Sequence, residues 1–288
     1  MEGVFTQTIV SGLLIGFLYS LVAVGLTMIF GVMDIVNFAH GEYLMVAMYF
    51  SFWFFVLFGM DPLQSLPIVT VLLFGLGVIT YYIVIRPIIN APMLTQIFVT
   101  FGMLIFLRGL AQFLWKADYR MIPQTILSGN INIFGVYVGV PQIIAAAGAI
   151  LCNGLILWFL KGTRLGMALE AVSDDKEAAR LMGINSDRMF ALAWGIGIAT
   201  VGIAGALLSS FYYVFPEVGA NFCLIAFVVV ALGGFGSVVG AFIAGIIVGL
   251  VEVLSGYLID PSLKFMFVLA LYLAVVFVRP QGLMGRSN

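Results

Sequence analysis

Four polar side chains that are able to carry acid–base or ligand chemistry lie close together, at Asp34, Asn37, His40 and Glu42. Their segment, GVMDIVNFAHGE at 31–42, separates two apolar runs. Ionisable groups at membrane depth are costly, and they usually mark a transport pathway or a capped break in a helix. A plain cytoplasmic turn between two membrane spans is the alternative interpretation of this segment.

His40 and Glu42 are also the pair that an intramembrane hydrolase would need, but the sequence argues against that chemistry. A zinc site takes three or four ligands, whereas this chain has a single histidine and neither of its cysteines, Cys152 and Cys223, lies near it. The patterns G-x-S-x-G and G-x-x-x-x-G-K-[ST], typical of serine hydrolases and of ATP-binding loops, do not occur in the sequence. We therefore expect no enzyme activity, no cofactor and no metal centre.

A second segment concentrates charge, because 10 of the 25 charged residues fall between Lys161 and Arg188. Hydrocarbon excludes unpaired charge at a cost of several kcal/mol per group, so this stretch must lie in water. Its five basic residues place it in the cytoplasm by the positive-inside rule. The stretch 161–188 is therefore predicted to be a cytoplasmic loop that meets a soluble partner.

Within this loop the residue pattern predicts two short helices. Ser173 is a candidate N-cap for the second helix, and Gly183 is expected to end it in a left-handed conformation. Small side chains allow close approach to the backbone and charged ones supply specific contacts, so the residues expected to contact the partner are Glu177, Ala178, Ala179, Arg180 and Gly183. A helix lying on lipid headgroups is the alternative, but five acidic residues match the five basic ones, and anionic lipid favours a basic face.

A third segment, Gly233-Gly234-Phe235-Gly236-Ser237, interrupts a long apolar run. Irregular backbone is tolerated in membranes only where protein or a water-filled cavity satisfies its polar groups. We interpret the segment as a helix break near a translocation path, with a simple tight turn as the alternative. Other small residues recur every fourth position and predict close helix packing: Gly12/Gly16, Gly236/Gly240/Ala244 and Ala241/Gly245/Gly249.

The elements that must position these segments are membrane-spanning helices. Apolar residues make up 63% of the chain and charged residues 9%, far from the values of soluble domains, and the net charge of −1 gives no reason to expect a nucleic-acid partner. The composition therefore predicts a single all-α polytopic membrane domain over residues 1–288. Nine candidate spans lie at 5–30, 43–59, 63–85, 94–115, 140–160, 189–214, 222–234, 238–258 and 263–278.

The basic residues orient these spans. With 161–188 in the cytoplasm, parity predicts the N-terminus outside and the C-terminus inside, which requires an odd number of crossings and favours nine over eight. Basic residues outside the spans are then more numerous on the inner side than on the outer side. Residues 116–139 become an outer loop. Its end, NINIFGVYVGV, alternates as a small β-hairpin does, with an irregular loop as the alternative.

The run Glu177-Ala-Ala-Arg-Leu-Met-Gly183 resembles the EAA-x-x-x-G coupling motif of permease subunits of bacterial ABC importers. Over nearly the whole chain, the sequence resembles the LivH-type permeases of branched-chain amino acid importers. The resemblance lies in LVAVGLTMIFGVMDIVNFAHGEYLM, LMGINSDRMFAL, AFVVVALGGFGSVVGAFIAGIIVGLVE and VRPQGLMGR. The I-x-L-P sequence that often follows the motif is replaced here by AWGI at 193–196, a departure that concerns the detailed geometry of the loop.

This resemblance implies a multi-pass protein of the bacterial inner membrane that pairs with a second, related permease subunit. Two cytoplasmic ATPases would dock on the coupling loops, and a periplasmic binding protein would deliver leucine, isoleucine or valine. Similar permeases handle urea, short amides or other amino acids, so these remain alternative substrates. Composition alone also suits a secondary transporter, since such proteins use broken helices. The polar segment 31–42 and the glycine segment 233–237 are the two candidates for lining the translocation path. The path is therefore predicted to include eight residues, Asp34, Asn37, His40, Glu42, Gly233, Gly234, Gly236 and Ser237.

Overall fold

The computed structural model is nearly all-α, and it describes residues 2–123, 125–126, 128–133 and 136–285. Eleven α-helices are found within these ranges. They are α1 Glu2–Met33, α2 His40–Phe58, α3 Pro62–Thr80, α4 Met93–Trp115, α5 Val140–Gly162, α6 Arg164–Asp174, α7 Lys176–Leu181, α8 Ser186–Leu208, α9 Val218–Gly233, α10 Val238–Leu258 and α11 Lys264–Val278. A π-helical turn at Tyr81–Ile85 and 3₁₀ turns at Arg86–Ile88 and Pro261–Leu263 complete the helical structure.

In the described part of the chain, eight helical segments are long and apolar enough to cross a membrane. This confirms the predicted polytopic α-helical class. Each of the nine predicted spans also has a helix, but α9 has only 16 residues, fewer than the roughly 20 that a span needs. The number of crossings and the orientation of the termini therefore stay predictions.

Helices α1, α2 and α8 form the buried centre of the bundle, whereas α4 and α11 expose most of their apolar side chains. The most extensive helix–helix contact joins α1 to α10. A Cβ atom on Gly245 would lie 2.5 Å from Ser20 Cα, and one on Gly249 would lie 2.4 Å from Gly16 Cα. Only residues without a Cβ fit there, so the predicted stripe of small residues is a helix-packing seam.

A two-stranded antiparallel hairpin precedes α5, with β1 at Asn130–Ile133 and β2 at Val136–Gly139. The pairs Asn130↔Gly139 and Ile131↔Val138 set its register, which confirms the predicted hairpin. Helix α5 follows β2 directly and ends next to α6, so about 35 Å of helix separates the hairpin from the predicted coupling loop. We call the two ends of the bundle the hairpin side and the loop side.

The predicted N-cap at Ser173 is wrong. Helix α6 continues to Asp174, and α7 is capped by Asp175, whose Oδ1 accepts the backbone N–H groups of Glu177 and Ala178, both at 2.9 Å. The Ser173 hydroxyl instead donates to the carbonyl oxygen of Gly31 at the end of α1. A carboxylate that accepts two N–H bonds is the stronger cap, and the tertiary contact uses the serine.

Candidate functional site

Helices α6 and α7 form the predicted coupling loop, and its local structure follows from its capping residues. Gly183 has φ of +84°. Its N–H donates to Arg180 O at 3.0 Å, and the Ile184 N–H donates to Ala179 O at 3.1 Å. These two bonds make a Schellman motif, so the left-handed helix end predicted at Gly183 is present.

The surface of α7 is mostly exposed. Glu177, Ala178 and Arg180 are exposed, whereas Ala179 is buried against the bundle. Ala179 therefore serves packing, and it is not available for the contact predicted for it.

Two large apolar side chains follow, Leu181 and Met182, which are 90% and 83% exposed. Neither residue belongs to the predicted contact set, although both lie on the same helix edge. Neighbouring apolar side chains left in water are a signal of a binding surface.

The predicted coupling loop packs against the helices of the bundle. Leu169 and Val172 of α6 are buried, and a Cβ on Gly166 would lie 2.1 Å from Phe159 O of α5. The Lys176 ammonium lies 5.1 Å from the centre of the Phe190 ring on α8. The loop therefore contacts α1, through Ser173, as well as α5 and α8.

The segment between α1 and α2 re-enters the bundle. The chain turns at Asp34, which has φ of +56°, and runs back to His40, which is fully buried. The His40 ring Nε2 lies 2.9 Å from Val22 O, and Val22 precedes the end of α1 at Met33 by about 16 Å of helix. The start of α2 is therefore deep in the bundle, and the surface turn considered from sequence does not describe this segment.

Asn37 and Glu42 hold polar groups at this depth. Asn37 Oδ1 accepts the Ala39 N–H at 3.1 Å, which shapes the turn into α2. Glu42 is 1% exposed and forms an ion pair with Arg108 of α4, with 2.5 Å between Oε1 and Nη2. Arg108 was not predicted as a partner from the sequence. The clue in the sequence is that a single charge inside a predicted span needs a counter-charge within the protein.

This ion pair is only partly satisfied. Glu42 Oε2 and Arg108 Nε are both buried without a hydrogen-bond partner among the described residues. A second polar contact lies nearby on the same helix, where Gln112 Nε2 donates to Glu217 Oε1 at 2.8 Å. Buried polar atoms without partners are expensive, and they are typical of places where water, solute or a second conformation completes the bonding.

The glycine segment separates α9 from α10. Gly234 and Gly236 have φ of +102° and +80°, and Ser237 Oγ caps α10 by accepting the Gly240 N–H at 3.1 Å. A Cβ on Gly234 would lie 2.4 Å from Gly285 N. The break is thus filled by backbone, with the C-terminal segment lying directly against it.

The structure brings three of the predicted segments together on the loop side. A cavity of about 460 Å³ is bordered by Asp34 just after α1, by Ser173 of α6, and by Gly236 and Ser237 of the glycine segment. Of the other predicted path residues, Gly233 and Gly234 do not border this cavity. Asn37, His40 and Glu42 lie deeper in the bundle and do not border it.

Comparison with known proteins agrees with this architecture. Residues 8–276 match the family model described as "Branched-chain amino acid transport system / permease component". The chain belongs to this permease family. It is therefore a multi-pass membrane protein and a permease component of a transport system.

The permease is similar to named relatives over nearly its whole length. The "High-affinity branched-chain amino acid transport system permease protein BraD" of Pseudomonas aeruginosa is 31% identical, over 99% of this chain and 97% of that protein. The corresponding protein LivH of Escherichia coli (strain K12) is also 31% identical, over 99% of this chain and 96% of its own length. The "Probable branched-chain amino acid transport permease protein LivH" of Methanocaldococcus jannaschii is 28% identical, over 92% and 88%.

Proposed function

We propose that this chain is the membrane-spanning permease subunit of an ATP-driven importer of leucine, isoleucine and valine. The observation that carries the proposal is the exposed, doubly capped helix α7 on the loop side, in a loop that contacts α1, α5 and α8 and in a chain that belongs to this permease family. The names of the relatives favour branched-chain amino acids over urea, short amides or other amino acids. They also favour the permease interpretation over a secondary transporter.

In the proposed topology, residues 1–288 form one transmembrane domain of the bacterial inner membrane. The N-terminus and the loop 116–139 lie outside, and the loop 161–188 and the C-terminus lie in the cytoplasm. Two contacts support nine crossings. A backbone bridge pairs Arg120 with Val214 on the hairpin side, just before α9, whereas Gly234, just after α9, contacts Gly285 on the loop side.

The proposed partners are a second, related permease subunit, two cytoplasmic ATPase subunits and a periplasmic binding protein. The ATPases would contact Glu177, Ala178 and Arg180 through polar and backbone groups. The exposed Leu181 and Met182 would enter an apolar recess of the ATPase, because burying two such side chains contributes about 1.5–3 kcal/mol each. ATP hydrolysis would take place in those partners.

The contacts of the loop suggest how it could drive transport. Movement of α6 would shift Gly31 through the Ser173 hydrogen bond, and Gly31 lies against Gly236 in the glycine break. Both contacts border the loop-side cavity. We propose that this coupling opens and closes the inner end of a path that includes Asp34, Asn37, His40 and Glu42, with Gly233, Gly234, Gly236 and Ser237 at the break.

Uptake by reconstituted vesicles tests the proposal. The permease pair and the two ATPases are placed in proteoliposomes, and the binding protein and radiolabelled leucine are supplied on the outer side. We expect uptake that requires ATP, that persists with a protonophore, and that unlabelled isoleucine and valine suppress. Uptake that a protonophore abolishes and that ATP does not affect would overturn the proposal in favour of a secondary transporter.

A further inference from the structure

A second cavity, of about 330 Å³, opens toward the hairpin side and is distinct from the segments described above. Helices α1, α9, α10 and α11 border it, together with Phe211 and Tyr212 of the segment before α9. Small-molecule sites have volumes of roughly 300–1,000 Å³. This cavity is therefore large enough for one small solute, at the lower end of that range.

Three charged or polar side chains meet in its wall. Glu252 of α10 is 4% exposed, and both of its carboxylate oxygens are engaged. The Tyr19 hydroxyl donates to Oε2, and the Lys264 ammonium donates to Oε1, each at 2.6 Å. Lys264 is 38% exposed and borders the cavity, so an ammonium with three N–H groups still has donors to offer a solute.

The position of Lys264 is fixed by the short turn before it. Asp260 Oδ1 accepts the Ser262 N–H at 2.7 Å and caps the 3₁₀ turn that leads into α11. The same N–H bond favours the charged carboxylate, so the pKa of Asp260 lies below its usual value. The cation at the cavity is therefore held by a local element with its own cap.

The remaining wall is amphiphilic. Leu14 and Leu18 of α1 and Phe222 and Ile225 of α9 supply an apolar surface, and the amides of Gln142 and Asn221 lie at the exposed rim. An apolar wall beside a few convergent polar groups is the usual composition of a solute site. An ion pair that serves packing alone has no need of an adjoining cavity.

We propose that this cavity binds a free amino acid with an apolar side chain, as its zwitterion. The carboxylate of the solute would contact Lys264, its ammonium would contact Glu252, and its side chain would lie against the wall formed by α1 and α9. This inference rests on the proposed function, and it adds that the permease itself recognises the solute after release from the binding protein.

Charge balance selects a zwitterion over a simple ion. Glu252 and Lys264 together carry no net charge, and a zwitterion adds none, so each charge in the occupied site faces an opposite one. A single inorganic cation or anion would leave one net charge in a mostly apolar wall, which is costly. Toward the loop side, the backbone contact between Gly245 and Ser20 joins α1 and α10 closely.

Photo-crosslinking tests this site directly. The intact complex of both permease subunits and both ATPases is placed in nanodiscs without binding protein, irradiated with L-photo-leucine, and digested for mass spectrometry. We expect adducts in peptides covering 11–19 or 221–225, which excess leucine suppresses. Leucinamide, which lacks the carboxylate that Lys264 would bind, should fail to suppress them.

Variants connect the adducts to the two charges. The double variant Glu252→Gln/Lys264→Met removes both charges together, so that neither is left buried alone. It should lower the yield of adducts about tenfold or more, because the charge-assisted bonds to the solute are lost. Lys116→Met removes an exposed lysine on the hairpin side outside this cavity and should leave the yield unchanged. If the double variant fails to assemble, Tyr19→Phe tests the same carboxylate by removing only its hydroxyl donor.

The outcomes separate this inference from the proposed function. Absent adducts, or adducts that leucine does not suppress, in a complex that imports leucine with ATP and binding protein would overturn the site and leave the function intact. Suppression by leucinamide as strong as by leucine would also overturn it. Failure of the unaltered complex to import leucine at all would refute the proposed function instead.

Discussion

Replacing Gly183 with valine should uncouple the permease from its ATPases without unfolding the membrane helices. Gly183 has φ of +84°, and no atom lies within 4 Å of the place where a Cβ would stand. The cost is therefore conformational and not steric. It amounts to about 1–2 kcal/mol for an ordinary side chain in the left-handed region, and more for a β-branched one.

That cost falls on an element with little stability of its own. Helix α7 has six residues, and isolated helices of that length are marginal, so loss of the cap should loosen the whole docking surface. A penalty of one to two kcal/mol corresponds to a factor of about 5–30 in an equilibrium. We therefore expect Gly183→Val to weaken recovery of the ATPases by about fivefold or more and to lower uptake to a similar extent.

The assay is co-purification of the ATPases with tagged permease, together with uptake by the same vesicles. Gly183→Asn is the matched control, because asparagine tolerates the left-handed region better than other residues that carry a Cβ, and it should remain close to wild type. Full ATPase recovery and wild-type uptake in Gly183→Val would refute the reasoning. Loss of the protein from the membrane in Gly183→Val alone would show that the loop stabilises the spans instead.

Three further predictions follow from other parts of the structure. Gly234→Leu should abolish or strongly lower uptake, because its Cβ would lie 2.4 Å from backbone and φ is +102°; normal uptake would show that the break is not under steric constraint. With both native cysteines replaced, a membrane-impermeant thiol reagent added outside should label Asn130→Cys and spare Arg188→Cys until the cells are permeabilised, and the reverse pattern would invert the topology. Arg108→Leu should destabilise the protein by about 3–5 kcal/mol, since it leaves Glu42 charged and buried, whereas Glu42→Gln/Arg108→Leu should recover most of the loss in a thermal unfolding assay; equal losses would mean that the pair is not coupled.

Local sequence patterns predicted those features whose causes are local. The end of α7 at Gly183 and the break at Gly234 both depend on backbone conformations that glycine adopts most easily. The hairpin alternates over a few residues. In each case the residues that determine the structure are neighbours in the chain, so that the pattern could be read without knowledge of the fold.

Features set by distant contacts could not be predicted in this way. Arg108 meets Glu42 across 66 positions, and Tyr19 meets Glu252 across 233. A span predicted from hydropathy carries no information on which helix it packs against, so these partners were missed. The burial of His40 could not be predicted either, because a segment as long as 34–39 can form a surface turn or re-enter the bundle.

The same limit explains the error at Ser173. Serine and aspartate are both good N-caps, and local preference could not tell that Asp175 would accept two N–H bonds while Ser173 reached Gly31. Ala179 was misassigned for a similar reason. In a six-residue helix, the side that faces the bundle is decided by the helices beneath it.

Site-specific crosslinking can show whether an ATPase docks on α7. A photoreactive amino acid at position 181, where Leu181 is 90% exposed, is activated in the assembled complex, with the same group at the exposed Leu151 of α5 as the control. We expect a covalent adduct between position 181 and an ATPase subunit, and none from position 151. An active complex that yields no ATPase adduct from position 181, or equal adducts from both positions, would contradict it.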